Sequence, residues 1–336
     1  PYTLHLNKKG VGDVTPTQFI NMLDYMFRRV IGAFLVMLAV ATLVFFMLRL
    51  VPGDPIAAML ADAGSEEARD AMIKRLGFDK PVPVQFIKWF GGMLQGDLGN
   101  SIYGSNQPVT QILAESLPRT LSLAFLSFII ALLIAVPAGI ISAAKKNTAT
   151  DNAFSFFAFL GLSMPDFWLA ILLIIVFAAN LQWLPAIGYS PISEGLWPWF
   201  SHLILPSIAV GTGFSAIIAR MIRSSMLEVL KADYMRFATS KGLSDTTLLL
   251  RHALPNALIP VITVIGIAFA LLISGAVVVE NVFAIKGLGR VLIQGILNRD
   301  YPVVQGAVLI VSAIFVFTNL LVDILYGLID PRIRYS

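Results

Sequence analysis

The sequence predicts an all-α polytopic membrane protein with six transmembrane helices and a small extracytoplasmic subdomain after the first helix. Three observations carry this reading. Of its 336 residues, 57% are hydrophobic and only 13% charged, about half the charged share of a soluble domain. Mean hydropathy is +0.81. Six stretches almost free of Lys, Arg, Asp and Glu each hold the ~20 residues that cross a hydrocarbon core. The same figures exclude disorder, which needs low hydrophobicity and high charge. The absence of Cys excludes a disulfide scaffold and a thiolate metal site.

The expected spans lie at 30–50, 120–143, 153–181, 203–222, 257–279 and 304–327. Basic residues set their orientation, because Lys and Arg favour cytoplasmic loops. With the N-terminus inside, the inner segments hold Lys8, Lys9, Arg28, Arg29, Lys145 and Lys146. They also hold Arg220, Arg223, Lys231, Arg236, Lys241, Arg251, Arg332 and Arg334. The short outer loop 182–202 has no Lys or Arg. Both termini are therefore expected in the cytoplasm. The first apolar run is longer than a signal-peptide core and lacks a small-residue cleavage site, so it is expected to remain as a span. Residues 1–24 read as a flexible cytoplasmic extension and 25–51 as the first helix.

Residues 52–118 form neither a span nor a linker. They open on the rigid turn Pro52-Gly53-Asp54-Pro55. Ser65 to Leu76 reads as a short helix with Ser65 as its cap. Phe86, Ile87, Trp89 and Phe90 follow, then the turn Gly96-Asp97-Leu98-Gly99. Val109 to Leu117 is amphipathic and is expected at the interface. Residues 119–336 then form a five-helix core.

Motifs for catalysis are missing. No GxxxxGK[ST] loop, HExxH or GxSxG elbow occurs, and His5, His202 and His252 lie in separate segments. The chain is read as no enzyme, with no metal and no cofactor of its own. Ionisable residues within spans are functional candidates by default. Asp166 follows Ser163-Met164-Pro165, where the proline should break the third span. Its carboxylate either lines a cavity or caps the second half-helix. Glu280 closes the fifth span and reads as part of the outer loop. Asp323 reads as a hydrogen-bonding group between helices. Gly266, Gly275 and Ala276 are small enough for close helix approach.

The loop between spans four and five is the most informative segment. Glu228 to Ser240 has helical spacing, with Leu227, Leu230, Tyr234 and Phe237 on roughly one face. Gly242 is placed to end that helix, and Ser244 to cap a second one running to Leu254. The loop is either an amphipathic hairpin packed on its own domain or a docking element for a cytoplasmic partner.

This loop resembles the EAA coupling loop of ABC-importer permeases. Ala238, Gly242 and Leu254-Pro255 fall at that motif's second Ala, its Gly and its terminal Leu-Pro. Arg236 replaces the Glu, Phe237 the first Ala, and His252 the Ile. The form is similar to the peptide/nickel branch, as are landmarks in order along residues 25–336. These include Pro165-Asp166-Phe167-Trp168, Val279-Glu280-Asn281-Val282-Phe283 and Asn298-Arg299-Asp300-Tyr301-Pro302. The long insertion after the first span is similar to the B-type dipeptide permease subunit.

The resemblance implies a type I importer fold and a chain that moves dipeptides or short oligopeptides by alternating access, as one subunit of an ATP-driven system. It implies a second, related permease, two ATP-binding subunits that carry ATP and Mg, and an extracytoplasmic solute-binding protein; lipid surrounds the complex and nucleic acid has no part. Within loop 223–256, Glu228, Tyr234, Arg236, Phe237, Ala238, Lys241, Gly242, Leu254 and Pro255 would couple to an ATP-binding subunit. Ser163, Asp166, Phe214, Thr263 and Phe269 would face the path, chosen by position on spans three to five. Asp54, Asp97, Glu280, Arg299 and Asp300 would gate or dock on the outer side. The competing class is an ion-gradient secondary transporter, which would need an inverted repeat and paired broken helices.

Overall fold

The computed structural model describes residues 16–50, 77–103 and 106–329, with Glu67, Asp70, Ile73 and Lys74 between the first two segments. The described residues are helical apart from turns and one isolated bridge, Asn100 to Pro108. In chain order the helices are α1 (Pro16–Leu50), α2 (Val82–Leu94), α3 (Val109–Ala144), α4 (Ala149–Ser163) and α5 (Asp166–Leu173). They continue with α6 (Leu196–Val229), α7 (Asp233–Ser240), α8 (Leu254–Val282), α9 (Leu288–Leu297) and α10 (Tyr301–Ile329).

Five described helices are long and apolar enough to cross a membrane, and a sixth span is the pair α4 and α5. That pair is bent by 101°. The break falls where the proline rule places it. Met164 and Pro165 are extended (ψ 123° and 137°), so Pro165 starts α5 rather than continuing α4. Beyond Leu173 the chain winds as a π-helical stretch, Ile174–Asn180.

Several boundaries differ from expectation. Helix α1 begins at Pro16, so residues 16–24 are its first turns rather than part of an extension. Residues 109–117 do not form a separate interfacial helix. They are the first turns of the 36-residue α3, with Val109 and Leu113 buried against Leu288, Val303 and Ala307. Helix α6 runs 34 residues, past the expected 203–222 at both ends. A continuous apolar run marks only the part of a helix that crosses the hydrocarbon core, whereas packing on protein neighbours carries α3 beyond it. The turn at 52–55 with Asp54, the expected helix 65–76 apart from four residues, and residues 1–15 lie outside the described residues.

Helices α3 and α6 are the central pair. A Cβ on Gly139 would meet Ile222 Cβ at 2.7 Å, and one on Gly211 would meet the Ser127 carbonyl at 2.8 Å. Glycine at both crossings lets the two backbones approach as small residues do in membranes. Gly266 does the same for α8 against α10, where an added Cβ would clash with Val322. One apolar cluster, around Leu123, Leu203, Leu272 and Phe283, fills the α9 end of the bundle. A second, around Ile218, Ile222, Met226 and Val261, fills the end that carries α7. Asp323 joins α10 to α1 through an ion pair with Arg29 (3.0 Å), an interhelical role of the kind expected for it.

Candidate partner-docking elbow and transport path

Helix α6 ends at Val229, and three backbone bonds turn the chain: Leu230 to Met226, Lys231 to Glu228 and Ala232 to Val229. The coupling helix expected over Glu228–Ser240 is therefore shorter. Glu228 belongs to the last turn of α6, and α7 starts only at Asp233. The apolar spacing that suggested one helix is shared by two. Leu227 and Leu230 pack on the bundle, while Tyr234 and Phe237 point away from it.

Helix α7 is anchored chiefly by one fully buried side chain. Met235 is 3% exposed and packs with Met226, Leu248 and Ala253. On the other side Phe237 is 71% and Tyr234 47% exposed, flanked by the exposed Arg236 and Lys241. Arg236 makes only a 3.7 Å solvent-exposed contact with Asp233, a pairing worth well under 1 kcal/mol. Ala238 is half-buried against the bundle.

Gly242 has φ +76°, the left-handed region, and donates its N–H to Thr239 (2.9 Å). It closes α7 as the residue after a helix end commonly does. Ser244 Oγ then accepts from the Thr247 N–H (3.4 Å) and caps the next turn. That turn runs through a π-helical stretch, Leu248–Ala253, directly into α8. Leu254 packs on the bundle and Pro255 occupies the first turn of α8, where its missing N–H is harmless. Ser225 Oγ donates to the Ala257 carbonyl (2.8 Å) and ties α6 to α8 behind the elbow. The result is an elbow whose exposed face is aromatic and cationic, the kind of surface patch that often marks an interaction site.

The second arrangement is at the break in the third span. Asp166 opens α5 and its side chain reaches between α6 and α8. A Cβ on Gly213 would lie 3.6 Å from Oδ1, and one on Gly275 would lie 3.8 Å from Oδ2. No hydrogen bond or ion pair holds this carboxylate among the described residues. Phe214 adjoins it, with its ring edge 3.7 Å from the same Gly275 position. Asp166 and Phe214 are thus brought together, and Gly213 and Gly275, which make the space, escaped prediction as a pair.

The other path candidates stand apart. Phe269 packs edge-on against Phe128 in the core (5.0 Å). Ser163 donates to the Phe159 carbonyl of its own helix (2.9 Å). Thr263 lies twelve residues before Gly275 on α8, about 18 Å along the helix. Beside the break, α3, α4 and α6 enclose an apolar cavity of about 480 Å³ with Arg220 and Arg223 at one edge.

At the α9 end, two of the expected docking acids prove to be internal struts. Glu280 is fully buried. It accepts from Thr120 Oγ1 (2.6 Å) and the Arg290 N–H (3.1 Å), while Thr120 accepts from the Leu288 N–H (2.8 Å). Its carboxyl group thus faces the N-terminus of α9. It is not an outer-loop residue. Asp300 is also buried and accepts from Ser101 Oγ, the Ile102 and Tyr103 N–H groups (3.2 Å each) and the Val303 N–H (3.4 Å). It fastens the 101–103 turn to the start of α10. Neither acid is exposed on the surface of this structure. Asp97 is exposed and holds the Gly99 N–H (2.8 Å), and Arg299 is half-exposed with φ +54°.

A helical bundle of apolar spans with a bent third span and an exposed elbow between its fourth and fifth spans has the architecture of a polytopic membrane permease. The chain belongs to the family of binding-protein-dependent transport system inner membrane components, whose profile matches residues 135–335. The N-terminal profile of the same system matches residues 22–124. Among relatives, the oligopeptide transport system permease protein AppB of Bacillus subtilis is 38% identical over 94% of this chain and 100% of its own. The dipeptide transport system permease protein DppB of Alkalihalophilus pseudofirmus is 40% identical, again over 94% and 100%. The probable peptide ABC transporter permease protein y4tP of Sinorhizobium fredii is 42% identical over 93% of this chain and 99% of that one. The fold matches a chain of the methionine ABC transporter MetNI in inward-facing conformations, with TM-score 0.55 and 19% identity over 66% of this chain and 97% of that chain. Family membership replaces the ion-gradient alternative, because a binding-protein-dependent component does not transport alone.

Proposed function

We propose that this chain is one of two related permease subunits of an importer for dipeptides or short oligopeptides. Two separate ATP-binding subunits drive it, carrying ATP and Mg, and an extracytoplasmic solute-binding protein delivers the peptide. The single observation behind this reading is the elbow: two aromatic side chains held out on a helix fixed by Met235. In this reading Tyr234, Arg236, Phe237 and Lys241 enter a groove of an ATP-binding subunit. Gly242 sets the angle at which force passes into α8, and Ala238, Leu254 and Pro255 keep the elbow on the bundle. Glu228 sits at the pivot.

The termini and the elbow face the cytoplasm, in accord with the basic residues gathered there. Closure of the ATP-binding subunits tilts the two permeases against each other between inward- and outward-open states. Peptide passes the break in the third span, where Asp166 and Phe214 face it; Ser163, Thr263 and Phe269 are secondary wall positions. On the outer side Asp97, Arg299 and Asp54 remain as groups for the delivering protein. Relatives that are 38–42% identical and serve as peptide, oligopeptide and dipeptide permeases support a peptide substrate.

The test is reconstitution of this chain with its co-purifying permease and ATP-binding subunits in proteoliposomes. Labelled dipeptide should accumulate only with ATP and the binding protein. Phe237→Asp should abolish accumulation while the chain remains inserted. ATP-independent uptake by the chain alone would overturn the reading.

A further inference from the structure

A second cavity lies at the end of the bundle opposite the elbow, away from the broken span. The last turn of α1, helix α2, the turn after it and the first turn of α10 enclose about 380 Å³. Arg49 reaches into it from the end of α1. Its guanidinium lies 3.4 Å over the Phe45 ring. Nη1 donates to the Phe45 carbonyl (2.9 Å), and Nε and Nη2 to Gln85 Oε1 (3.3 and 2.9 Å). A guanidinium has five N–H donors, so two remain. Among the described residues no carboxylate pairs with Arg49.

Gln305, on α10, lines the same space and is only 3% exposed, and its Nε2 has no hydrogen-bond partner. A buried amide donor without an acceptor is costly and rare. Lys80 and Lys88 stand on the wall, and Asp97 is the lone acid among the described lining residues. Among the described lining residues, three cations against one acid, spare planar guanidinium donors and an orphan amide suit a ligand with several anionic acceptor oxygens. Phosphate meets that description best, because guanidinium binds it with paired, charge-assisted hydrogen bonds.

The surroundings identify what carries the phosphate. Arg49 follows the apolar run of α1 and therefore stands at headgroup depth. Helix α2 beside it turns Ile87 (70% exposed) and Leu94 (65% exposed) outward. Its Phe86 and Trp89 pack with Phe45 of α1 at ring distances of 5.1 and 5.2 Å. Apolar side chains facing out and aromatic rings at this level are the marks of a helix lying in a membrane interface. We propose that this cavity binds the phosphate headgroup of a phospholipid from the leaflet opposite the elbow, with Arg49 and Gln305 as its donors. The acyl chains would run down beside α1 and α2.

The complex purified in phosphatidylglycerol-containing nanodiscs tests this by native mass spectrometry after detergent stripping. Wild-type protein should retain a phospholipid that Arg49→Met loses at least tenfold, and that Arg49→Lys loses less. Because Arg49→Met could compromise α1, the pair Lys88→Gln with Gln305→Leu is measured alongside, and retention should fall several-fold at unchanged melting temperature. Equal retention by wild type and both variants would overturn the site. So would displacement of the lipid by millimolar inorganic phosphate, which would assign the pocket to the free ion.

Discussion

Arg223 grips Asp151 through both carboxylate oxygens, with Nε 2.8 Å from Oδ1 and Nη2 2.7 Å from Oδ2. The carboxylate also accepts from Ser142 and from the Asn147 N–H. One buried acid therefore joins the end of α3, the turn after it, the start of α4 and the last third of α6. Arg223 counts in the sequence as one of the basic residues crowding a loop, yet it is committed inward.

Breaking this knot on one side leaves a charge without its partner, which costs about 3 kcal/mol for a buried pair. Asp151→Asn is therefore expected to lower the melting temperature of the purified complex by several degrees. Arg223→Met should do the same, and the double variant should lose less than the two single losses added together. A thermal scan with intrinsic tryptophan fluorescence measures all three.

Glu280 supports a second prediction. An added Cβ on Gly287 would clash with the Glu280 carboxyl group, and the backbone there is extended, so the restriction is space and not conformation. Gly287→Ala should displace the carboxylate from Thr120 and the start of α9. Thr120→Val should act more mildly, removing one donor to Glu280 and the acceptor of the Leu288 N–H. Leaving such buried groups unpaired costs about 1–3 kcal/mol. Melting temperatures ranked wild type, Thr120→Val, Gly287→Ala are the expected outcome, and equal values would remove Glu280 from its structural role.

The pattern of what the sequence made legible follows from where each interaction sits along the chain. Spans announce themselves because lipid demands a continuous apolar run, and Pro165 announces its break because a missing N–H acts locally. Gly242 and Ser244 are local too, as helix ends are. Glu280 misled because an acid at the close of a span looks like a loop residue, and its partner Thr120 is 160 positions away. Asp151 and Arg223 meet across 72 positions. The extent of the coupling helix failed for a different reason: Leu227 and Leu230 have the same spacing as Tyr234 and Phe237, and only the turn at 230–232 separates the buried pair from the exposed one.

Asp166 yields a prediction that separates its two readings. A carboxylate that faced the path would interact with the cationic end of a peptide, and Asp166→Asn would then raise the half-saturating concentration for uptake severalfold at unchanged melting temperature. Pro165 is the N-cap of α5 and Asp166 its first helical residue, with no side-chain capping bond. A carboxylate that served only there would contribute about 0.3–1 kcal/mol through the helix dipole, and Asp166→Asn would leave the half-saturating concentration unchanged. Concentration dependence of uptake in proteoliposomes decides between them.

The elbow gives the last test. Phe237 contributes little to the fold because most of its surface is already exposed, so Phe237→Ala should change stability by less than about 0.5 kcal/mol. If it fills a groove on an ATP-binding subunit, losing it should weaken the assembly by about 2 kcal/mol or more, as aromatic anchors do. Gly242 should behave differently. Space around it is open, so Gly242→Ala meets only the left-handed backbone and costs about 1 kcal/mol. Gly242→Pro cannot adopt φ +76° and also loses the N–H that closes α7 onto Thr239. Gly242→Pro should therefore retain membrane insertion and subunit binding through Phe237, yet uncouple ATP hydrolysis from uptake. Hydrolysis and accumulation measured in the same vesicles read this directly: both lost together would mean failed assembly, and both intact would remove Gly242 from the coupling route.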